Sequence, residues 1–236
     1  MSQVTTFDLN QLNQRFESAH PRDILTWCLE NIPTGLVQTT AFGVTGIVII
    51  DILYRVLAPQ PPVPVLFLDT LHHFSQTLEF VEKAKSVYRL DLHVYKSLQA
   101  NSRSDFAARY GHELWHKDIE KFHYLTKVEP LQRGLAELDT VAWINGRRRD
   151  QGKTRANLSV FELDNNRRMK INPLANWTRQ QTWAYIAEHS VIYHPLHDQG
   201  YASIGDEPLT TPVVSGEHER AGRWRGIGKT ECGIHI

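Results

Sequence analysis

The sequence predicts an α/β fold, a parallel sheet flanked by helices with a mobile C-terminal tail, and three observations lead there. Short apolar runs of β-like character alternate with segments of helical spacing, the pattern of parallel strands covered on both faces. Polar or glycine-containing segments follow several of those runs at once. The last quarter then changes character, spacing its glycines through a stretch with little apolar periodicity.

In chain order, residues Leu9 to Asn31 carry helical periodicity, and Pro21 starts a second helix at its first turn. Leu36 to Ala41 reads as a strand, followed by Phe42-Gly43-Val44, and Gly46 to Leu57 is apolar and long enough for a helix. Pro64 to Leu68 reads as a buried strand with Asp69-Thr70 just past its end. Ser75 to Tyr88 is helical, and Leu92 to Tyr95 and Val141 to Ile144 are further strands. Thr178 to His189 is an amphipathic helix with Thr178 as its cap. Ligands of such sheets sit beyond the carboxyl ends of the strands. Thr39 to Gly43, Asp69-Thr70 and Asn145 to Arg149 all fall at such ends, which points to a nucleotide-sized site.

From Pro195 onward the chain holds Gly200, Gly205, Gly216, Gly222, Gly226, Gly228 and Gly233. The expected organisation is therefore a nucleotide-binding α/β domain over 1–194, N-terminal helices included, and a tail over 195–236 able to close over a site.

Composition narrows the function classes. With 236 residues, 41% of them hydrophobic, the chain is long enough for one domain with a substantial core. A formal net charge of zero gives no reason to expect nucleic acid or a membrane surface as partner. The opening residues carry neither the apolar stretch of a signal peptide nor the arginine bias of a transit peptide. The run from Gly46 to Ile50 is too short to span a bilayer. The two cysteines, Cys28 and Cys232, cannot build a disulfide scaffold or a four-cysteine metal site, so a cytoplasmic location is expected.

Several constellations bear on chemistry. His112-Glu113-Leu114-Trp115-His116 fits the zinc-protease pattern, but a chain with 12 histidines meets it by chance, Tyr110-Gly111 breaks the helix before it, and no third ligand announces itself. No metal site is expected. The loop Thr39-Thr40-Ala41-Phe42-Gly43 offers hydroxyls and backbone N–H groups to an anion at a helix N-terminus, although an ordinary strand-to-helix turn explains it as well. Basic residues gather at Arg147, Arg148, Arg149, Lys153 and Arg155, and again at Arg220, Arg223, Arg225 and Lys229. Guanidinium forks match phosphate and sulfate oxygens, and two such groups on a neutral chain suggest a small polyanion. Cys232 lies between Lys229 and His235, both of which favour a thiolate, while Glu231 opposes it. Cys28, between Trp27 and Leu29, reads as a packing residue.

Taken together, these segments resemble the phosphoadenylyl sulfate reductase family from about Gly35 to the C-terminus. The strongest element is Glu231-Cys232-Gly233-Ile234-His235, similar to the family's ECGLH signature with Ile for Leu. Further matches are Glu219-Arg220-Ala221-Gly222-Arg223-Trp224, Phe67-Leu68-Asp69-Thr70, Tyr110-Gly111 with Leu114-Trp115, and Lys127-Val128-Glu129-Pro130-Leu131. Arg148-Arg149 with Arg155-Ala156-Asn157-Leu158, Tyr193-His194-Pro195-Leu196 and Asp198-Gln199-Gly200-Tyr201 complete the series. Ala41 and Gly152 depart from it, standing where serine is usual.

The resemblance implies a PP-loop adenine-nucleotide fold with Thr39, Thr40, Phe42 and Gly43 in the modified loop and Leu68, Asp69 and Thr70 near the adenosine. It implies Arg148, Arg149, Arg155, Arg220, Arg223, Lys229 and His235 as substrate contacts and Cys232 as the nucleophile. The implied activity is assimilatory reduction of 3′-phosphoadenylyl sulfate to sulfite and adenosine 3′,5′-bisphosphate through a Cys S-sulfonate, with thioredoxin or glutaredoxin as external reductant and a homodimeric state. A related branch reduces adenylyl sulfate and holds a four-iron cluster on a Cys-Cys pair and a Cys-x-x-Cys pair. Those positions fall here on Phe122 and His123, and on Asp206 and Leu209, so no iron–sulfur cluster is expected. Cluster-free adenylyl sulfate reduction and a non-catalytic nucleotide sensor are the alternatives.

Overall fold

The computed structural model describes residues 7–229, 231, 233 and 234. The chain opens with α1 (Leu9–Phe16) and α2 (Pro21–Asn31). The Asp8 carboxylate accepts from the Asn10 and Gln11 amides to start α1, and His20 Nδ1 accepts from the Arg22 amide to start α2, with Pro21 at its first position. Then follow β1 (Leu36–Thr40), α3 (Val44–Asp51) running into a π-helical turn at Ile52–Leu57, β2 (Val65–Asp69), α4 (Ser75–Tyr88) and β3 (Leu92–Lys96).

Short helices come next: α5 (Arg103–Tyr110), α6 (Leu114–Lys117), α7 (Ile119–His123) and, after a π-helical turn at Tyr124–Val128, α8 (Glu129–Glu137). The chain then forms β4 (Ala142–Ile144), β5 (Phe161–Leu163), β6 (Met169–Ile171) and α9 (Arg179–His189). Thr178 and Gln181 close a reciprocal capping box at the start of α9.

The six strands form one sheet in the order β3-β2-β1-β4-β6-β5. All neighbours are parallel except β5 and β6, a short antiparallel pair at one edge. Helices cover both faces. Leu36, Phe67 and Ile144 face a large apolar core with residues of α1 to α4 and α9, and Cys28 is fully buried in it. On the other face Val37, Leu66 and Trp143 meet Leu131 and Leu135 of α8.

A third apolar cluster lies beside the sheet, where Phe106, Leu114 and Phe122 meet Leu209 and Trp224 of the last quarter. That last quarter folds back through antiparallel bridges joining His73 to Asp206 and Thr210 to Arg223. No helix among the described residues is long and apolar enough to cross a membrane.

The chain leaves β1 toward β2 on one side and returns to β4 on the other, so the order in which strands are added reverses between β1 and β4 while the two stay parallel. Open α/β sheets bind ligands at that switch point, outside the carboxyl ends of the strands. Here those ends are Thr39-Thr40 and Asn145.

Candidate active site

A cleft opens at this switch point, and three strand ends build its floor. At the end of β1, the Thr39 hydroxyl donates to the Ile144 carbonyl at 3.3 Å, and the Thr40 hydroxyl accepts from the Phe42 amide at 2.9 Å. That second bond holds Phe42 in the left-handed region at φ 55° and sends its ring into the core against Phe67 and Phe80. Gly43 then caps α3, whose first turn faces the cleft with backbone N–H groups that its own helix does not use. Close approach is required here: a Cβ on Gly46 would lie 2.1 Å from Thr40 Oγ1, and one on Gly146 would lie 2.5 Å from Thr45 Oγ1. The β4 end and the α3 N-terminus thus meet at glycine distance.

At the end of β2, Leu68 and Thr70 line the cleft. The Asp69 carboxylate instead accepts from the Leu71 amide at 2.9 Å and shapes the turn behind it. His73 stacks on Phe67 with ring centroids 5.2 Å apart, its Nε2 pairs with the Leu68 carbonyl at 2.9 Å, and its buried Nδ1 has no hydrogen-bond partner among the described residues.

The basic run after β4 divides. Arg147 and Arg148 line the cleft, whereas Arg149 turns to the outside and donates to the Leu158 carbonyl and to Glu17 beyond α1. Arg147 donates to Asn145 and Asn172 and pairs with Glu162; burial lowers its pKa to about 10. Arg148, nearly fully buried, donates to Asp150 at 2.9 Å and to both oxygens of Glu219 at 2.9 and 3.1 Å. Arg155 lines the cleft and grips Glu231.

The last quarter forms the opposite wall. The Arg223 guanidinium lies 4.6 Å above the Trp224 ring and donates to the Ile204 carbonyl at 3.0 Å. Arg220 sits over the same ring at 5.4 Å and approaches Glu231 at 3.5 Å. Lys229 pairs with Glu120 outside the cleft, and Ile234 reaches its edge. Cys232 and His235 lie outside the described residues.

The structure therefore brings Thr39, Thr40, Gly43, Leu68, Thr70, Arg148, Arg155, Arg220 and Arg223 around one cleft. The side chains of Phe42, Asp69, Arg149 and Lys229 point elsewhere.

It also adds residues that the sequence did not single out for the site. Lys127 and Asp206 form a buried ion pair at the cleft wall. Burial would raise the Asp206 pKa, but Lys127, His73 and Arg223 outweigh it and hold the carboxyl well below the usual carboxylate range. His197, Ser203 and Gly205 also line the cleft, and burial lowers the His197 pKa.

The zinc-like pattern does not form a site. Glu113 is left-handed at φ 54°, α6 begins only after it, and His112, Glu113 and His116 are exposed. Trp115 packs instead against His72 with centroids 5.1 Å apart. Among the described residues no group of three side chains is arranged to hold a metal ion.

Phe122, His123, Asp206 and Leu209 fall in one region. Phe122 and Leu209 share the cluster with Trp224, His123 Nε2 accepts from Trp224 Nε1 at 3.3 Å, and Asp206 is tied to Lys127. This donor set does not fit a thiolate-held iron–sulfur cluster.

Residues 35–212 match the family model of the phosphoadenosine phosphosulfate reductase domain. The chain is 46% identical over 238 residues to the phosphoadenosine phosphosulfate reductase of Saccharomyces cerevisiae, covering 98% of this chain and 91% of that protein. It is 40% identical over 239 residues to the adenosine 5′-phosphosulfate reductase of Halalkalibacterium halodurans, covering 100% of each. The crystal structure of phosphoadenylyl-sulfate reductase from Candida auris in a phosphate complex superposes with a TM-score of 0.78 at 39% identity, covering 89% of this chain and 98% of that one.

Proposed function

The chain belongs to the phosphoadenosine phosphosulfate reductase family, and we propose from that premise that it reduces 3′-phosphoadenylyl sulfate to sulfite and adenosine 3′,5′-bisphosphate in sulfate assimilation. The observation that carries this reading is the convergence of the α3 N-terminus with Arg148, Arg220 and Arg223 on one cleft at the sheet's switch point. Although the chain's formal net charge is zero, these guanidinium groups stand together at one cleft. That suits a nucleotide carrying phosphate and sulfate groups.

The chemistry proceeds in two halves. The Cys232 thiolate attacks the sulfonate sulfur in line with the phosphate leaving group. A sulfur–sulfur bond forms, the sulfur–oxygen bond to phosphate breaks, and the electron pair departs on the phosphate oxygen of adenosine 3′,5′-bisphosphate. Arg220 and Arg223 hold the phosphosulfate oxygens and offset the charge that builds on the leaving group. Thr39, Thr40, Gly43 and the first turn of α3 hold a phosphate, and Leu68 and Thr70 flank the adenosine. His235, three residues after Cys232, favours the thiolate, whereas Lys229 is engaged by Glu120 outside the cleft.

In the second half, a thiolate of reduced thioredoxin or glutaredoxin attacks the Cys232 sulfur and expels sulfite with its electron pair. The second thiol of that external dithiol then resolves the mixed disulfide, leaving the reductant oxidised and Cys232 free. The only other cysteine, Cys28, is buried in the core, so the reducing equivalents come from outside. For that second half only the end of the tail, which carries Cys232, has to leave the cleft, because Leu209, Trp224 and Asp206 are packed into the body. The cytoplasm, which keeps thiols reduced, suits such an enzyme, and a homodimer is the proposed assembly.

A second reading, reduction of adenylyl sulfate, is favoured by the 40% identity to a bacterial adenosine 5′-phosphosulfate reductase. Steady-state sulfite release from the two nucleotides separates them. Our reading expects the 3′-phosphorylated nucleotide to be used at least about tenfold more efficiently, and an equal or reversed preference contradicts it.

A further inference from the structure

Both glutamates nearest the cleft in the C-terminal segment reach back to guanidinium groups of the loop that follows β4. Glu219 is held by Arg148, and Glu231 is held by Arg155. The second contact is the better formed for control of the nucleophile. Arg155 Nε donates to one Glu231 oxygen at 2.7 Å and its terminal nitrogen donates to the other at 2.6 Å, a two-pronged pair. The Thr154 hydroxyl adds a bond at 3.3 Å, and Arg220 stands 3.5 Å away. The remaining arm of Arg155 donates to Gln151. Its donor fork is thus directed at protein groups, and little of it faces a substrate oxygen.

Glu231 immediately precedes Cys232, and consecutive Cα atoms across a trans peptide are about 3.8 Å apart. A carboxylate fixed at two points therefore restricts where the next residue can stand. We propose that the Arg155–Glu231 pair is the latch that seats Cys232 for sulfonate transfer, which makes Arg155 a positioning residue for the tail and not a substrate contact. The latch is also suited to release. The Glu231 side chain is 26% exposed, so water and a docking partner reach it, while Arg155, at 9%, stays fixed in the body. This inference rests on the reading of Cys232 as the nucleophile.

The test is a double-mutant cycle on the full-length protein with Glu231→Gln, Arg155→Ala and the double variant. Single-turnover formation of the S-sulfonate from 3′-phosphoadenylyl sulfate, without reductant, is followed by intact mass. Each single substitution is expected to slow the adduct step by about tenfold to a hundredfold at saturating nucleotide. Affinity for adenosine 3′,5′-bisphosphate should stay within about twofold, and the double variant should be no slower than the worse single one. Multiplying effects overturn the latch. So does an Arg155→Ala loss of nucleotide affinity equal to its loss of rate, because Arg155 is then a ligand contact.

Amide hydrogen exchange of the 229–236 peptide gives a readout that does not need the chemistry. It should speed up in both single variants, and unchanged exchange overturns the latch even if the adduct slows. If the unsubstituted protein forms no adduct, the nucleophile reading fails, and the exchange data still decide whether the pair holds the tail.

Discussion

Lys127 and Asp206, 79 positions apart, form a buried ion pair that ties the π-helical turn before α8 to the C-terminal segment. The Asp206 side chain is fully buried and that of Lys127 is 10% exposed. The Lys127 ammonium is compensated by Asp206, whose carboxylate is also stabilised by His73 and Arg223, in a low-dielectric wall. Asp206→Ala leaves the ammonium uncompensated and is expected to cost about 3–5 kcal/mol in denaturant unfolding. The double replacement Lys127→Met with Asp206→Leu is expected to recover most of that loss. A double variant as unstable as Asp206→Ala would show that the pair's charge is not what the wall requires.

Burial also sets a pH dependence for stability. Desolvation, reinforced by Lys127, lowers the His123 pKa to about 3, and desolvation, reinforced by His197, lowers that of His194 to about 4. Both are neutral in the fold. Below the unfolded value near 6.5, the unfolded chain binds protons that the native chain does not, so stability falls as pH falls from about 7 toward 4. At pH 5.5 the loss is about 1.4 kcal/mol per histidine. Unfolding midpoints measured between pH 7.5 and 5.5 should decline accordingly, and a flat profile contradicts the assignment.

Cys28 is fully buried on α2, and burial pushes its thiol far above the ordinary range. Cys28→Ser is therefore expected to leave turnover within about twofold while costing roughly 1–3 kcal/mol of stability, because a hydroxyl enters an apolar core. Sulfite release and denaturant unfolding measured on the same preparation check both halves. Collapse of turnover in a folded variant would give Cys28 a chemical role.

Arg223 contributes a guanidinium to the cleft wall from a rigid seat over Trp224. Arg223→Ala is expected to lower kcat/KM by roughly tenfold to a hundredfold, the worth of a charge-assisted contact. Unchanged kinetics remove it from the site.

Most of the sheet was legible in the sequence because its central strands are short apolar runs with polar ends. Ser75–Tyr88 matches the expected helix at both ends, and Thr178 caps α9 as its side chain and following periodicity imply. The region from α5 to α8 was not read, and the reason is local. Gly111, the left-handed Glu113 and the capping Asp118 cut it into pieces too short for helical periodicity to register. The strands β5 and β6 have three residues each, below the length at which alternation carries information.

The candidate site divides the same way. Thr39 to Gly43 and Asn145 to Arg149 were placed near the site from strand ends alone. A run of three arginines does not say which of them turns inward, and only the pairing of Arg149 with Glu17 settles its direction. Lys127 and Asp206 were invisible as partners because a contact across 79 positions leaves no local pattern.

The central claim is that Cys232 takes the sulfonate. Reduced protein mixed with 3′-phosphoadenylyl sulfate, without any reductant, should gain one sulfonate by intact mass, mapped to Cys232 and absent from Cys232→Ser. Reduced thioredoxin should then discharge it as sulfite. No adduct with 3′-phosphoadenylyl sulfate, or an adduct on another residue, contradicts the account.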